Sequence, residues 1–338
     1  MRPVVEPMGV ESADLSVVVP CLNEEQVLLH LHEVLSHDLS AITPDFEVLF
    51  IDDGSNDDSV AVMRKIHQLD PRFRYLALSR NFGKEAAMLA GLSQATGRAV
   101  AILDADLQHP PSLLARMLPL LDMGYDQVVA RRTRTGDTAV RSALSRLYYR
   151  VFNQLVEVDI EDGVGDFRIL SQRAVKALLS LGEYNRFSKG LFSWIGFSTA
   201  VVDYDNVERT TGESRWRFSD LVNYGIDGVL SFNARPLRLA IHLGAFVSVI
   251  AFAYAAWVVG DALISGNPVD GYVTIICAIL GFGGVQLIML GVIGEYLGRI
   301  YYETKGRPHF LVKESSSDAA TPVTTALGPA HDENRSTG

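Results

Sequence analysis

Along the first part of the chain two hydrophobic periods alternate. DLSVVVP (14–20), FEVLFID (46–52), FRYLALS (73–79), RAVAILD (98–104) and YDQVVA (125–130) are short runs rich in Val, Ile, Leu, Phe and Tyr, and each predicts a buried strand. Between them NEEQVLLHLHEVLSHDL, SNDDSVAVMRKIHQL, KEAAMLAGLSQAT and PPSLLARMLPLLD carry apolar residues at helical spacing. Ser55 or Asn56 suits the start of the second helix, and Pro110 and Pro111 the start of the fourth. This alternation predicts an α/β fold, a mostly parallel sheet covered on both faces. Ligands of such sheets bind beyond the carboxyl ends of the strands. PCLNEE after the first strand, DDGSND after the second and DADLQ after the fourth all fall there.

Later the pattern changes. LAIHLGAFVSVIAFAYAAWVVGDALI holds one acid near its end, and GYVTIICAILGFGGVQLIMLGVIGEYLG is a second long apolar run. Each is long enough to cross a hydrocarbon core of about 30 Å. A buried helix pair is the alternative, disfavoured by two such runs so close together. They predict transmembrane helices over about 239–263 and 272–297, within a segment 237–300. The connector SGNPVD has no Lys or Arg, whereas Arg235 and Arg238 flank one side and Arg299, Lys305 and Arg307 the other. By the positive-inside rule both flanks, the N-terminal domain and both termini are cytoplasmic, which predicts a multi-pass protein of the plasma (inner) membrane. Before the first span, Phe218, Leu221, Val222, Ile226 and Val229 recur at helical spacing behind Arg215 and Arg217. Residues 217–236 therefore predict an amphipathic helix on the membrane surface, an ordinary packed helix being the alternative. The domains run as an N-terminal tail 1–13, an α/β domain 14–216, the juxtamembrane 217–236, the spans, and a tail 301–338. From ESSSDAATP onward that tail is polar and reads as largely disordered.

Composition narrows this picture. Hydrophobic residues make up 48% of 338, and the net charge of −10 excludes a nucleic-acid partner. Two cysteines, Cys21 and Cys277, give no disulfide framework and no cysteine metal site. MRPVVEPMGVESADLS lacks an apolar h-region, so no signal peptide is expected. Gly281, Gly283 and Gly284 suit close helix contacts and leave a homo-oligomer open.

The candidate chemistry centres on AILDADLQHPP. Strand residues i and i+2 share a face, so Asp104 and Asp106 converge if the strand geometry continues. Paired carboxylates suit a hard divalent cation, Mg²⁺ or Mn²⁺, together with phosphate oxygens. A solvated acidic turn before the next helix is the alternative.

VVVPCLNEE, VLFIDDGSNDDS, LSRNFGKEAAMLAGLSQATG, AILDADLQHPP, GVGDFRILS and ERTTGESRW occur in this order. Together they resemble the family-2 glycosyltransferases of the GT-A fold. More closely, they resemble the polyisoprenyl-phosphate glycosyltransferases of the dolichol-phosphate mannose synthase and GtrB type, over about Asp14 to Lys305. The resemblance implies that Pro20, Asn23 and Glu24 form a first nucleotide-binding turn and that Asp52 and Asp53 meet the base and ribose; turn chemistry is the alternative for the aspartate pair. Asp104, Ala105, Asp106 and Gln108 match the metal and diphosphate motif, Asp104 and Asp106 being the metal ligands. Asp166 matches the acid near the transferred sugar or the acceptor, and Arg209 and Arg215 match basic positions reaching the donor phosphates. Where the family usually has Ser-Lys, this chain has Ser214-Arg215 followed by Trp216. Arg131 or Arg132, opening RRTRTGDTAVR, matches a phosphate-contacting arginine; a basic loop on anionic headgroups is the alternative. Arg80, Asn81, Gly83 and Lys84 match the loop before the third helix, with Lys84 a solvated side chain outside the site.

The resemblance implies an enzyme: inverting, metal-dependent transfer of a hexose from a nucleotide-diphosphate sugar to polyprenyl phosphate of the undecaprenyl or decaprenyl type, at the cytoplasmic membrane face. UDP-glucose is the donor implied first, with other UDP-hexoses and GDP-mannose open. Two rival functions differ in product. A processive polysaccharide synthase would make polymer, though it usually has more spans and a Gln where Gly212 stands. A non-catalytic protein that binds or flips lipid-linked sugar would make none.

Overall fold

The computed structural model describes residues 13–132, 164–204 and 271–317, with scattered helical positions between 244 and 264. One sheet of eight strands organises them: β1 (Leu15–Cys21), β2 (Phe46–Asp52), β3 (Phe73–Leu78), β4 (Ala99–Ile102), β5 (Gln127–Arg132), β6 (Val164–Ser171), β7 (Thr199–Tyr204) and β8 (Val312–Ser315), in the spatial order β7-β5-β6-β4-β1-β2-β3-β8. The pairs β1–β2, β1–β4, β2–β3 and β5–β7 are parallel, while β4–β6, β5–β6 and β3–β8 are antiparallel. The five expected strands are all present. Strand β6 runs opposite to both neighbours, so β4 and β5 still point the same way and their carboxyl ends share one edge.

The helices cover both faces, as the alternation predicts. On one face α1 (Leu28–Ile42) buries Leu28, Leu31, Leu35 and Leu39, a stripe at helical spacing. It is joined there by α2 (Ser59–Leu69) and α4 (Leu114–Asp122), which follows a short 3₁₀ turn at Pro111–Leu113. Each fully buried leucine contributes about 1.5–3 kcal/mol relative to exposure. On the other face lie α3 (Lys84–Gln94), α5 (Gln172–Ser180) and α6 (Ser188–Trp194). Helix α3 is seated tightly on β1: a Cβ at Gly91 would lie 2.2 Å from Cγ1 of Val18.

Local boundaries depart from the periodicity where polar side chains are used elsewhere. Helix α1 starts at Leu28 rather than at the NEEQ stretch, because the main chain of Asn23, Glu24 and Glu25 is bonded across to the turn after β2. Helix α2 takes Asp58, not Ser55 or Asn56, as its N-cap; Ser55 and Asn56 are held in that same turn.

Helix α7 (Tyr272–Lys305) extends past the expected end at 297. Its stretch Gly281–Lys305 is long and apolar enough to cross a membrane. It leaves Leu287 and Ile288 exposed. The expected first span, the juxtamembrane 217–236 and the N-terminal tail short of Ala13 lie outside the fully described residues. The tail from 301 differs from expectation. Rather than being disordered from Glu314, the chain adds β8 antiparallel to β3, with Phe310 buried in the second core face. Polar composition hid this strand because its side chains bond rather than pack. Glu314 takes a bidentate pair from Arg64 (2.6 and 2.7 Å) and the hydroxyl of Tyr75 (2.7 Å), and Arg74 donates to Ser317 (3.0 Å).

Candidate active site

Two turns beyond the carboxyl ends of β1 and β2 are bonded to each other. The Asp53 amide donates to Cys21 O (2.9 Å), Asn23 N to Ser55 Oγ (2.8 Å), Asn56 N to Asn23 Oδ1 (2.9 Å) and Glu24 N to Ser59 Oγ (2.9 Å). Asn23 adopts a left-handed φ of 56°, a conformation asparagine tolerates. Pro20, in β1 opposite Ile51, leads into this frame.

Asp52 and Asp53 are both buried, and their carboxylates serve the main chain. Asp52 Oδ2 accepts from Gly54 N and Ser55 N, both at 3.1 Å. Asp53 accepts from Phe82 N (2.7 Å) and Gly83 N (2.9 Å), tying the turn after β2 to the loop before α3. Burial pushes the Asp53 carboxyl up, and those amides oppose it. Turn chemistry, the alternative for this pair, is therefore present at both residues. Gly54 has φ 74°, and a Cβ there would lie 2.3 Å from the carbonyl carbon of Arg80.

The third group forms at β4 and β6. Their antiparallel register pairs Ile102 with Arg168. Continued by two residues, it sets Asp104 opposite Asp166. Between the two carboxylates stands Lys84, the first residue of α3, with Nζ 2.6 Å from Asp104 Oδ1 and 2.6 Å from Asp166 Oδ2. Desolvation disfavours the Lys84 ammonium, but the charges of Asp104 and Asp166 outweigh it and raise its pKa. Burial would raise Asp166, yet the charges of Lys84 and Lys189 hold it below the ordinary carboxylate range. Lys84 is thus part of the site that sequence reasoning set aside. The signal that could have found it was a lysine at a helix N-terminus, where the macrodipole disfavours a cation unless anions compensate.

The DADLQ turn carries the remaining residues. Ala105 is buried in the core, Asp106 is exposed and accepts from Gln108 N (3.1 Å), and Leu107 has φ 54°. Among the described residues Gln108 Nε2 is buried with no partner. His109, also missed, anchors the turn: Nδ1 lies 2.5 Å from the Tyr204 hydroxyl on β7, and the ring stacks on Phe167 at 5.3 Å. Burial lowers the His109 pKa against the pull of Asp104 and Asp106.

The donor set fits a hard divalent cation. Asp104 and Asp106 offer carboxylate oxygens, and Lys84 marks a position where positive charge is stabilised. No cluster of three or more His, Cys, Asp or Glu at metal-binding spacing exists among the described residues. The two aspartates would therefore need oxygens from a ligand such as a diphosphate to complete the shell.

Arg131 lies on the same edge but is engaged by Asp203 on β7, Nε to Oδ1 at 2.7 Å and a second bond at 3.0 Å. Of Arg132 the backbone is described, paired with Tyr204. Arg209 and Arg215 lie outside the described residues.

An α/β sheet with acidic turns collected at its carboxyl edge is the place where such folds bind ligands, and comparison gives the class. Residues 16–179 match the model of glycosyl transferase family 2, and residues 235–300 match the GtrB C-terminal hairpin. The chain belongs to glycosyl transferase family 2 and is a glycosyltransferase with a GT-A-like fold. It is 52% identical over 302 residues to CsbB of Bacillus subtilis, covering 89% of this chain and 92% of that protein. It is 40% identical over 301 residues to the bactoprenol glucosyl transferase of Shigella phage SfX, covering 88% of this chain and 98% of that one. The prophage bactoprenol glucosyl transferase homolog of Escherichia coli is 37% identical over 300 residues, at 88% and 98% coverage.

Proposed function

We propose that this enzyme transfers a hexose, glucose from UDP-glucose, to polyprenyl phosphate at the cytoplasmic face of the membrane. The observation that carries the reading is the meeting of Asp104 and Asp166 around Lys84, with Asp106 in the turn that follows Asp104, on the sheet edge where such folds bind ligands. Relatives named bactoprenol glucosyl transferases, similar over nearly the whole chain, support a polyprenyl phosphate acceptor.

In the reaction an oxygen of the acceptor phosphate forms a bond to the anomeric carbon. The bond from that carbon to the donor diphosphate breaks, and its electron pair leaves with the nucleoside diphosphate. A single displacement inverts the centre. A phosphate monoester already carries between one and two charges at neutral pH, so it needs little deprotonation. Asp166, held ionised, is a weak base and acts by orienting the sugar or the acceptor. Mg²⁺ or Mn²⁺, held by Asp104 and Asp106, would supply charge neutralisation for the leaving diphosphate. Gln108 Nε2 offers a donor to an anion beside them. Positioning and charge stabilisation then account for most of the acceleration.

The membrane reading rests on α7, on the hairpin match at 235–300 and on β8. Because β8 pairs with β3, the chain after α7 lies on the same side as the catalytic sheet. Two crossings satisfy that arrangement. The basic flanks favour the cytoplasm for both ends. The test is to incubate the purified chain with labelled UDP-glucose, other UDP-hexoses and GDP-mannose, polyprenyl phosphate and Mg²⁺. A single-sugar lipid product is expected, largest with UDP-glucose; polymer or no product would overturn the reading.

A further inference from the structure

We infer that Lys84 is a built-in counter-ion: it occupies the cation position between Asp104 and Asp166 until metal and diphosphate arrive, and by yielding it couples the two binding events. The inference rests on the proposed reading of the site as a metal and diphosphate centre.

Three observations carry it. Lys84 Nζ contacts Asp104, an expected metal ligand, and Asp166, which is not one, at the same 2.6 Å. One ammonium therefore spans the metal half and the orienting half of the site. A divalent cation approaching Asp104 meets this resident charge and must displace it from that carboxylate. The side chain is also built to move. It is 44% exposed, so turning away disturbs no core packing. Its main chain, by contrast, is fixed, because the preceding Gly83 amide donates to Asp53 (2.9 Å). Finally, the displaced ammonium needs an anion. Asp166 keeps one of its contacts, and a bound diphosphate would supply the other. Metal alone must compete with Lys84, whereas metal with diphosphate gives Lys84 a new partner. That difference is a coupling free energy, and it is reciprocal between the two ligands.

The experiment measures Mn²⁺ affinity by titration of the full chain in detergent, alone and with saturating UDP, or with GDP if the wild type retains GDP instead. The wild type is expected to bind Mn²⁺ weakly alone and about tenfold or more tightly with the nucleotide. Lys84→Met, similar in length and uncharged, should bind Mn²⁺ alone about tenfold more tightly, and the nucleotide's enhancement should shrink by the same factor. Lys84→Arg keeps the charge and should keep the enhancement. Lys84→Gln repeats the measurement if the Met variant melts early. Equal enhancement in wild type and neutral variants of normal melting temperature would overturn the role of Lys84 while leaving the metal site standing. A wild type that takes no Mn²⁺ under any condition would instead overturn the metal reading itself, and this inference with it.

Discussion

Asp104 and Asp166 lie 62 positions apart in the numbering, yet one lysine holds both. At this scale the acids divide by task. Asp52 and Asp53 hold main chain, whereas Asp104 pairs with Lys84 and, in the proposed reaction, joins Asp106 in holding the metal. Asp104→Asn and Asp106→Asn should each leave the melting temperature unchanged and cost on the order of a hundredfold or more in transfer rate, since a Lewis-acid cation contributes several kcal/mol. Near-normal turnover of either with Mg²⁺ would remove the metal role. Asp53→Ala should do the reverse at first contact, lowering stability by about 1–3 kcal/mol as two amides lose their acceptor. Gly54→Ala should cost more than the roughly 1–2 kcal/mol of a left-handed backbone, because its Cβ meets the Arg80 backbone as well. Thermal melting of the two variants checks both.

The elements differ in how far their residues announced them. Strands β1 to β5 and helices α1 to α4 were legible because one period held through each run. Asp104 and Asp106 were legible for a related reason: two acids closing an apolar strand are conspicuous. Strand β7 was not, since Thr199 and Asp203 are exposed and the burial is irregular. Strand β6 has Gly165 and Asp166 in its first three positions and holds a buried arginine, Arg168, stacked on Phe192 at 3.6 Å. Its antiparallel pairing, which brings Asp166 to Asp104, is a tertiary fact that no local pattern encodes. Lys84 and His109 escaped for the same reason, each being defined by partners distant in sequence.

Strand β8 also yields a pH prediction. Hydrogen bonding to Arg64 pushes Glu314 from the ordinary 4.5 down to about 2. A depressed carboxyl stabilises the folded state fully above its unfolded pKa. That stabilisation drains away as pH falls from near 4.5 toward 2. The pair is partly exposed, so the contribution is about 0.5–1 kcal/mol. Protection factors at residues 312–315, corrected for intrinsic exchange, should fall about two- to fivefold over that window, and Glu314→Gln should show the lower protection throughout without further loss.

For the whole molecule, β8 changes what a truncation does. A chain ending at Arg235 would be expected, on sequence alone, to leave an intact soluble domain. It lacks the last strand, so the edge of β3 is bare and Phe310 no longer closes the second core face. That fragment should aggregate on size exclusion, and appending residues 306–317 should restore a monodisperse, more stable form. Sidedness is testable on the same element. Cysteine placed at exposed Lys313 should react with a membrane-impermeant maleimide in inverted vesicles and resist it in intact cells.

The place of β8 also has a consequence in time. Its contact to β3 joins Tyr75 to Ser316, 241 residues later. Ribosomes add about 5–20 residues per second, so the edge of β3 waits about ten to fifty seconds for its neighbour. In that interval the ribosome produces the apolar helix α7. Under the proposed membrane reading, that helix enters the bilayer before the last strand turns back, and completion of the sheet is tied to insertion. A chain that missed the membrane would then be left with an unfinished edge, a mark that chaperones and proteases can act on.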